Sequence, residues 1–182
     1  MHKAEHPQEV VLRLVPGAGR QPTLDDVYRQ YCRYVGAVIL RLQGRSAEVD
    51  DLIQDVFVEA AAGIGRLREP EAIKGWLATI AVRTVRRRLR ARRAWRFLGL
   101  DRDAAETVLV DPKASAADRV LLRSVYKVLD EMPVDNRLAF TLHIIEGETM
   151  EVVAKLCGCT LATAKRRVAR GQRLIEQRLS DG

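Results

Sequence analysis

Apolar residues in this chain recur at three- and four-residue intervals over two long stretches, Leu24 to about Phe97 and Ala116 to Leu179, without sustained strand-like alternation. In the first stretch, Leu52, Ile53, Val56, Phe57, Ala60 and Ile64 fill one arc of a helix predicted over residues 48–64. Leu77, Ile80, Ala81 and Thr84 give a second helix, residues 71–96, its buried stripe. In the second stretch, Thr149 can cap a helix running through Met150–Leu156. Ala154 is small where two helices would cross, and Gly158 supplies the left-handed residue of a tight turn. Thr160 can then cap a further helix, with Leu161, Ala164, Val168, Ile175 and Leu179 on its inner arc. Residues 98–115 mix Gly99, several acids and Asp111–Pro112, and read as a linker. Residues 1–22, with Pro7, Pro16, Gly17, Gly19 and Pro22, read as a mobile tail. The expected fold is all-α: two small helical domains, residues 23–97 and 116–182, joined by a flexible linker.

The polar positions distinguish the helices. On the 48–64 helix, Glu48, Asp51, Asp55 and Glu59 share the outer arc with Gln54 and Val58. Spacing leaves two readings open: a docking surface for a basic protein partner, or an ordinary amphipathic helix whose acids aid solubility. On the 71–96 helix, Arg83, Arg86, Arg90 and Arg93 form a stripe that Arg87, Arg88, Arg92 and Arg96 broaden. Like charges one turn apart repel, and few acids stand on the same helix, so a polyanion is the natural partner. A solvated basic face is the plainer alternative. On the last helix Arg166, Arg170 and Arg173 lie opposite the apolar arc, flanked by Ala162 and Ala169, which permit close approach to a surface. Long bidentate donors on the second helix of a helix-turn-helix suit guanine edges in the major groove.

Charge agrees with this. The 182 residues carry a formal net charge of +7. That balance favours a nucleic acid over an acidic membrane surface. No apolar run is long enough to span a bilayer, and Val10–Val15 is too short for a secretion signal, so the chain reads as cytoplasmic with no membrane insertion. Three cysteines, Cys32, Cys157 and Cys159, give no disulfide framework. Cys157 and Cys159 with a distant His143 match no common zinc spacing, and their places around the turn glycine suit buried structural residues. No nucleotide loop, nucleophile constellation or metal-ligand set is present, so neither an enzyme nor a cofactor is expected.

Two blocks resemble a known family. Asp50-Asp51-Leu52-Ile53-Gln54-Asp55-Val56-Phe57-Val58-Glu59-Ala60, followed by Trp76-Leu77-Ala78-Thr79-Ile80-Ala81-Val82-Arg83, resembles region two of the sigma-70 factors of bacterial RNA polymerase. Leu129-Asp130-Glu131-Met132-Pro133 and the helix-turn-helix resemble region four. With no room for a region-three domain, the layout is similar to the extracytoplasmic-function (ECF) class. The resemblance implies a transcription initiation factor with core RNA polymerase, promoter DNA and an anti-sigma factor as partners. It implies that Asp51, Gln54, Asp55 and Val58 face the polymerase clamp. Arg66 and Arg68 would capture a flipped base of the minus-ten element, while Arg83, Arg86, Arg87 and Arg90 hold adjoining phosphates. Arg166, Arg170 and Arg173 would read the minus-thirty-five element, with Thr163 and Lys165 on its backbone. Several positions depart from the family pattern. Ala164 replaces a branched aliphatic, which implies looser packing under the recognition helix. Val152 replaces a capping acid, Cys-Gly-Cys is unusual at the turn, and Asp135-Asn136 replaces more basic residues. The rival reading is a stand-alone helix-turn-helix regulator, binding DNA as a dimer without polymerase.

Overall fold

A computed structural model of the chain describes residues 22–44, 48–67, 69–99 and 115–180. Apart from their edges, the predicted tail and linker lie outside these residues, as does Arg68. Among the described residues there is no strand, in agreement with the all-α expectation. The helices are α1 (Leu24–Gln43), α2 (Val49–Gly63), α3 (Ile73–Phe97), α4 (Ala116–Glu131), α5 (Val134–Phe140), α6 (Met150–Cys157) and α7 (Leu161–Ser180). Short 3₁₀ turns, Ile64–Arg66 and Pro70–Ala72, link α2 to α3, and a π turn, Thr141–Ile145, extends α5.

The helix starts follow from local chemistry. Thr23 accepts a hydrogen bond from the Asp26 amide at 3.2 Å while the Asp26 carboxylate accepts one from the Thr23 amide at 3.0 Å. Ser115 and Asp118 repeat this box at α4. Pro133 follows the end of α4 and sets up α5, where the Asn136 and Arg137 amides donate back to its carbonyl. α1 ends at Gly44, whose φ of +74° is open to glycine and whose amide donates to the Leu40 carbonyl at 2.6 Å.

In the N-terminal module α1, α2 and α3 pack on one another in all three pairings. Val35, Ile39, Leu42, Val56, Leu77, Ile80 and Ala81 are fully buried between them. Tyr28 meets Phe57 edge to face, with ring centroids 4.8 Å apart. The predicted stripe Leu77, Ile80, Ala81 and Thr84 is buried throughout, and Ile53 and Ile64 are half-buried at the rim of α2. In the C-terminal module α7 packs against α4, α5 and α6. Gly171 gives α5 its approach to α7: a Cβ there would lie 2.9 Å from Cβ of Phe140.

Ala164 is fully buried together with Val168, so solvent is excluded beneath the small side chain. Three expectations change. Leu161, placed on the inner arc from its spacing, is 37% exposed because it opens α7 and no preceding turn covers it. Glu48 leaves the outer arc of α2. Its carboxylate accepts hydrogen bonds from Gln43, Arg88 and Arg92, which joins the ends of α1, α2 and α3. Arg88 and Arg92 therefore do not broaden the basic stripe; Arg92 is 8% exposed. The hydrogen bond from Arg88 holds the Glu48 carboxyl below the ordinary carboxylate range, against the opposing effect of burial. A carboxyl depressed in the folded state contributes stability above its unfolded pKa and loses it as pH falls through the lowered value. The urea midpoint of Glu48→Gln should thus lie below wild type at neutral pH, with the gap closing as pH drops through that window. A gap that stays constant with pH would remove the ion-pair account.

The two modules are not separate. α3 packs on α5 and α6, and α1 on the π turn. Leu138, Leu142, Val153, Leu156 and Cys157 join one continuous core with the N-terminal helices.

Candidate polymerase and nucleic-acid interfaces

Helical spacing puts Asp51, Gln54, Asp55 and Val58 on one face of α2, and all four are exposed. Val58 is 72% exposed although its neighbours Val56 and Phe57 are buried. The face is acidic with an apolar centre, the composition of a docking patch for a basic, partly apolar protein surface. Glu59, at its edge, pairs with Arg83 at 2.8 Å.

α3 presents its arginines in two ways. Arg87 is exposed and makes no ion pair among the described residues. Arg83 is exposed beyond its pairing with Glu59. Arg86 and Arg90 instead meet the C-terminal module. Arg86 Nε lies 3.1 Å from Asp135 Oδ1, near enough for ion pairing but off the line of a hydrogen bond, and its Nη2 donates to the Cys157 carbonyl at 2.8 Å. Arg90 Nη2 donates to Asp135 Oδ2 at 3.0 Å. Arg93 Nη1 donates to the Met132 carbonyl at 2.8 Å. The acids missing from α3 itself are supplied across space. Arg66 is exposed, and its guanidinium donates to the Ala62 carbonyl at 3.2 Å.

The C-terminal helix pair has the predicted form. The Val152 amide reaches Thr149 Oγ1 at 3.4 Å, Gly158 turns with φ +60°, and the Cys159 amide donates to the Ala154 carbonyl at 3.0 Å. Thr160 Oγ1 accepts from the Thr163 amide at 3.2 Å and opens α7. Lys165, Arg166, Arg170 and Arg173 are exposed opposite buried Ala164, Val168 and Gly171. Thr163 is half-exposed, and its hydroxyl accepts from Arg166 Nη2 at 3.2 Å. Arg167, which spacing did not single out, turns inward to Asp135 at 3.4 Å.

A sequence model of sigma-70 region 2 matches residues 27–96, and one of sigma-70 region 4 matches residues 122–174. Together they span about two thirds of the chain, in the order of the two structural modules. The chain belongs to the sigma-70 family of RNA polymerase sigma factors. Several of its relatives are ECF factors by name. The chain is 26% identical over 144 residues to the ECF RNA polymerase sigma-E factor of Escherichia coli K12, covering 74% of this chain and 75% of that one. It is 27% identical over 185 residues to the RNA polymerase sigma-H factor of Pseudomonas aeruginosa, covering 96% and 94%. Among solved structures, the sigma factor RpoE of Bartonella quintana, crystallised with the anti-sigma factor NepR, superposes with a TM-score of 0.64 at 25% identity, covering 86% of this chain and 96% of that chain. The protein is thus an ECF sigma factor acting in transcription initiation, a regulatory role. Among its described residues no helix is long and apolar enough to cross a membrane.

In this sigma factor the turn cysteines belong to the packing. Cys157 is buried, and burial pushes its thiol up to about 11. It stays protonated at neutral pH, a poor nucleophile and a poor metal ligand. Among the described residues no three His, Cys, Asp or Glu side chains group to hold a metal ion. At neutral pH, Cys157 should react with a maleimide at least about tenfold more slowly than half-exposed Cys32 or Cys159 in the folded protein, with the difference lost in denaturant. Peptide mapping of the labelled sites checks this; equal rates would mean that the α6–α7 turn opens freely.

Proposed function

We propose that this sigma factor docks on core RNA polymerase through Asp51, Gln54, Asp55 and Val58, and that it contacts promoter DNA with two separate basic surfaces. Arg66 and Arg68 take an unpaired base of the minus-ten element, and Arg83, Arg86, Arg87 and Arg90 hold the phosphates beside it. Arg166, Arg170 and Arg173 read the minus-thirty-five element from the major groove, with Thr163 and Lys165 on its backbone. Binding energy for an unpaired base offsets lost stacking, a few kcal/mol per base. The protein supplies no chemistry of its own; the polymerase catalyses. It works in the cytoplasm and has an anti-sigma factor as its regulatory partner, by analogy with the Bartonella factor crystallised with NepR.

The observation that carries this reading is the exposed row of arginines on α7, set by a capped helix-turn-helix on the same chain as an exposed acidic patch centred on Val58. Run-off transcription with purified core polymerase and genomic promoter fragments is the test. Discrete transcripts that need both proteins are expected. Tight binding of the isolated protein to palindromic sites as a dimer, with no polymerase-dependent transcript, would replace this reading with a stand-alone regulator.

A further inference from the structure

The exposed arginines of α7 are not equivalent. Arg173 Nε donates to the Ala169 carbonyl one turn back at 3.3 Å, and Arg170 has no ion pair or hydrogen bond among the described residues. Arg166 is held differently. Its Nη2 donates to Thr163 Oγ1 at 3.2 Å, so the guanidinium lies back over the first turn of α7. Recognition helices meet base edges with that N-terminal end. Thr163 is in turn set by Thr160, whose hydroxyl donates to Thr163 Oγ1 at 2.9 Å while accepting from the Thr163 amide at 3.2 Å. The capping residue of the helix thus fixes a hydroxyl, and the hydroxyl fixes a guanidinium.

A hydroxyl has one hydrogen to give and two lone pairs to receive. Both lone pairs of Thr163 are taken, one by Thr160 and one by Arg166. On α3, Thr79 gives its hydrogen to the Gly75 carbonyl at 2.9 Å, a common arrangement inside a helix. The Thr163 hydrogen has no acceptor among the described residues, and Thr163 is half-exposed, so the hydrogen is left for a group outside the protein. A phosphate oxygen is such an acceptor. Arg166 gives one of its N–H donors to Thr163 and keeps a pair for the two acceptors on a guanine edge, N7 and O6. We propose that Thr163 is a positioning residue for base reading: a backbone phosphate holds Thr163, Thr163 holds Arg166, and the guanidinium so placed selects guanine. A side chain already held in its bound position loses less freedom on binding than a loose one. Arg170, without such a tie, reads independently of Thr163. The inference rests on the proposed reading of the minus-thirty-five element by α7, and it adds sequence choice to the backbone contact of Thr163.

The test measures the affinity of the assembled holoenzyme for a panel of upstream-element substitutions. Arg166→Ala first locates the position that Arg166 reads, as the one where a preference for guanine disappears. Thr163→Val keeps the branched Cβ and the amide that donates to Thr160, so α7 still starts in the same place. It removes the acceptor for Arg166 and the hydrogen for the phosphate. At the located position Thr163→Val should lower the preference for guanine about tenfold, while preference at the position read by Arg170 stays unchanged. Thr163→Ser, which keeps the hydroxyl, should restore the preference. In the Arg166→Ala background, Thr163→Val should relax that position no further. If Arg166→Ala relaxes the position but Thr163→Val does not, or lowers affinity equally for every substitution, Thr163 is at most a backbone contact and the positioning role is overturned, though α7 still reads. A serine variant that fails to restore the preference overturns it as well, as does selection of a base other than guanine. If Arg166→Ala removes no preference at any position, the reading of bases by Arg166 falls, and this inference falls with it.

Discussion

Asp55→Arg combined with Val58→Glu should remove co-purification with core polymerase while leaving the helical circular dichroism spectrum and the urea midpoint close to wild type. The two residues share the exposed face of α2, and at 72% exposure Val58 contributes little to the core. Its substitution is therefore one of the few changes of an aliphatic residue here that should cost almost no folding stability. In an interface the same side chain would lie at the centre of an acidic patch, where a few desolvated residues carry most of the binding energy. A buried carboxylate at that centre and a reversed charge beside it should together cost about 3 kcal/mol or more, over a hundredfold in affinity. Pull-down with purified core enzyme and a competition assay against the wild-type factor read the effect. Retained binding would leave the acidic face as the solubilising surface that its spacing equally allowed.

The second large effect separates reading from holding. Arg170 is exposed on α7 with no ion pair among the described residues, one turn from Arg166. Arg170→Ala in the assembled holoenzyme should weaken binding by about 1–3 kcal/mol at its preferred upstream element and by little at elements altered under that residue. Preference among variants is thereby lost. Arg87 is the matching residue on α3, since its removal breaks no internal pair. Arg87→Ala should weaken binding almost equally across the variants and reduce the salt slope by about 0.9. The measurement is holoenzyme affinity for a panel of upstream-element substitutions at several salt concentrations. A uniform loss from Arg170→Ala would make it a phosphate contact, with the reading face elsewhere on α7.

Helix positions and their outer faces were legible because a period of 3.6 residues is a local property. α2 and α3 differ from their predicted bounds by one or two residues, and Val58 was marked as an outlier by the wheel alone. Thr149, Gly158 and Thr160 were legible for the same reason, since caps and left-handed turns act within four residues. What the pattern could not carry was partnership across the chain. Glu48 looked like one more acid on the outer arc, while the arginines that hold it lie some forty positions away. Arg86 and Arg90 looked like free cations because their acid, Asp135, sits on another module. Arg137 and Tyr126 form the seam between the modules by reaching backbone carbonyls, groups present at every residue and so invisible to composition, and Glu146 joins it by pairing with the distant Arg41 side chain. Gly171 carries no signal in the spacing; its role shows only once Phe140 stands against it.

The join between Gly44 and Tyr126 bears on how such a protein can be recombined. Each residue belongs to a different module, and each limits what the other can be: position 44 must lack a side chain while an aromatic ring lies over it. A grafted C-terminal half lacking an aromatic ring in the place of Tyr126 would leave a gap over Gly44, and a grafted N-terminal half with a side chain at position 44 would meet the ring. For resting together the two halves are a matched pair.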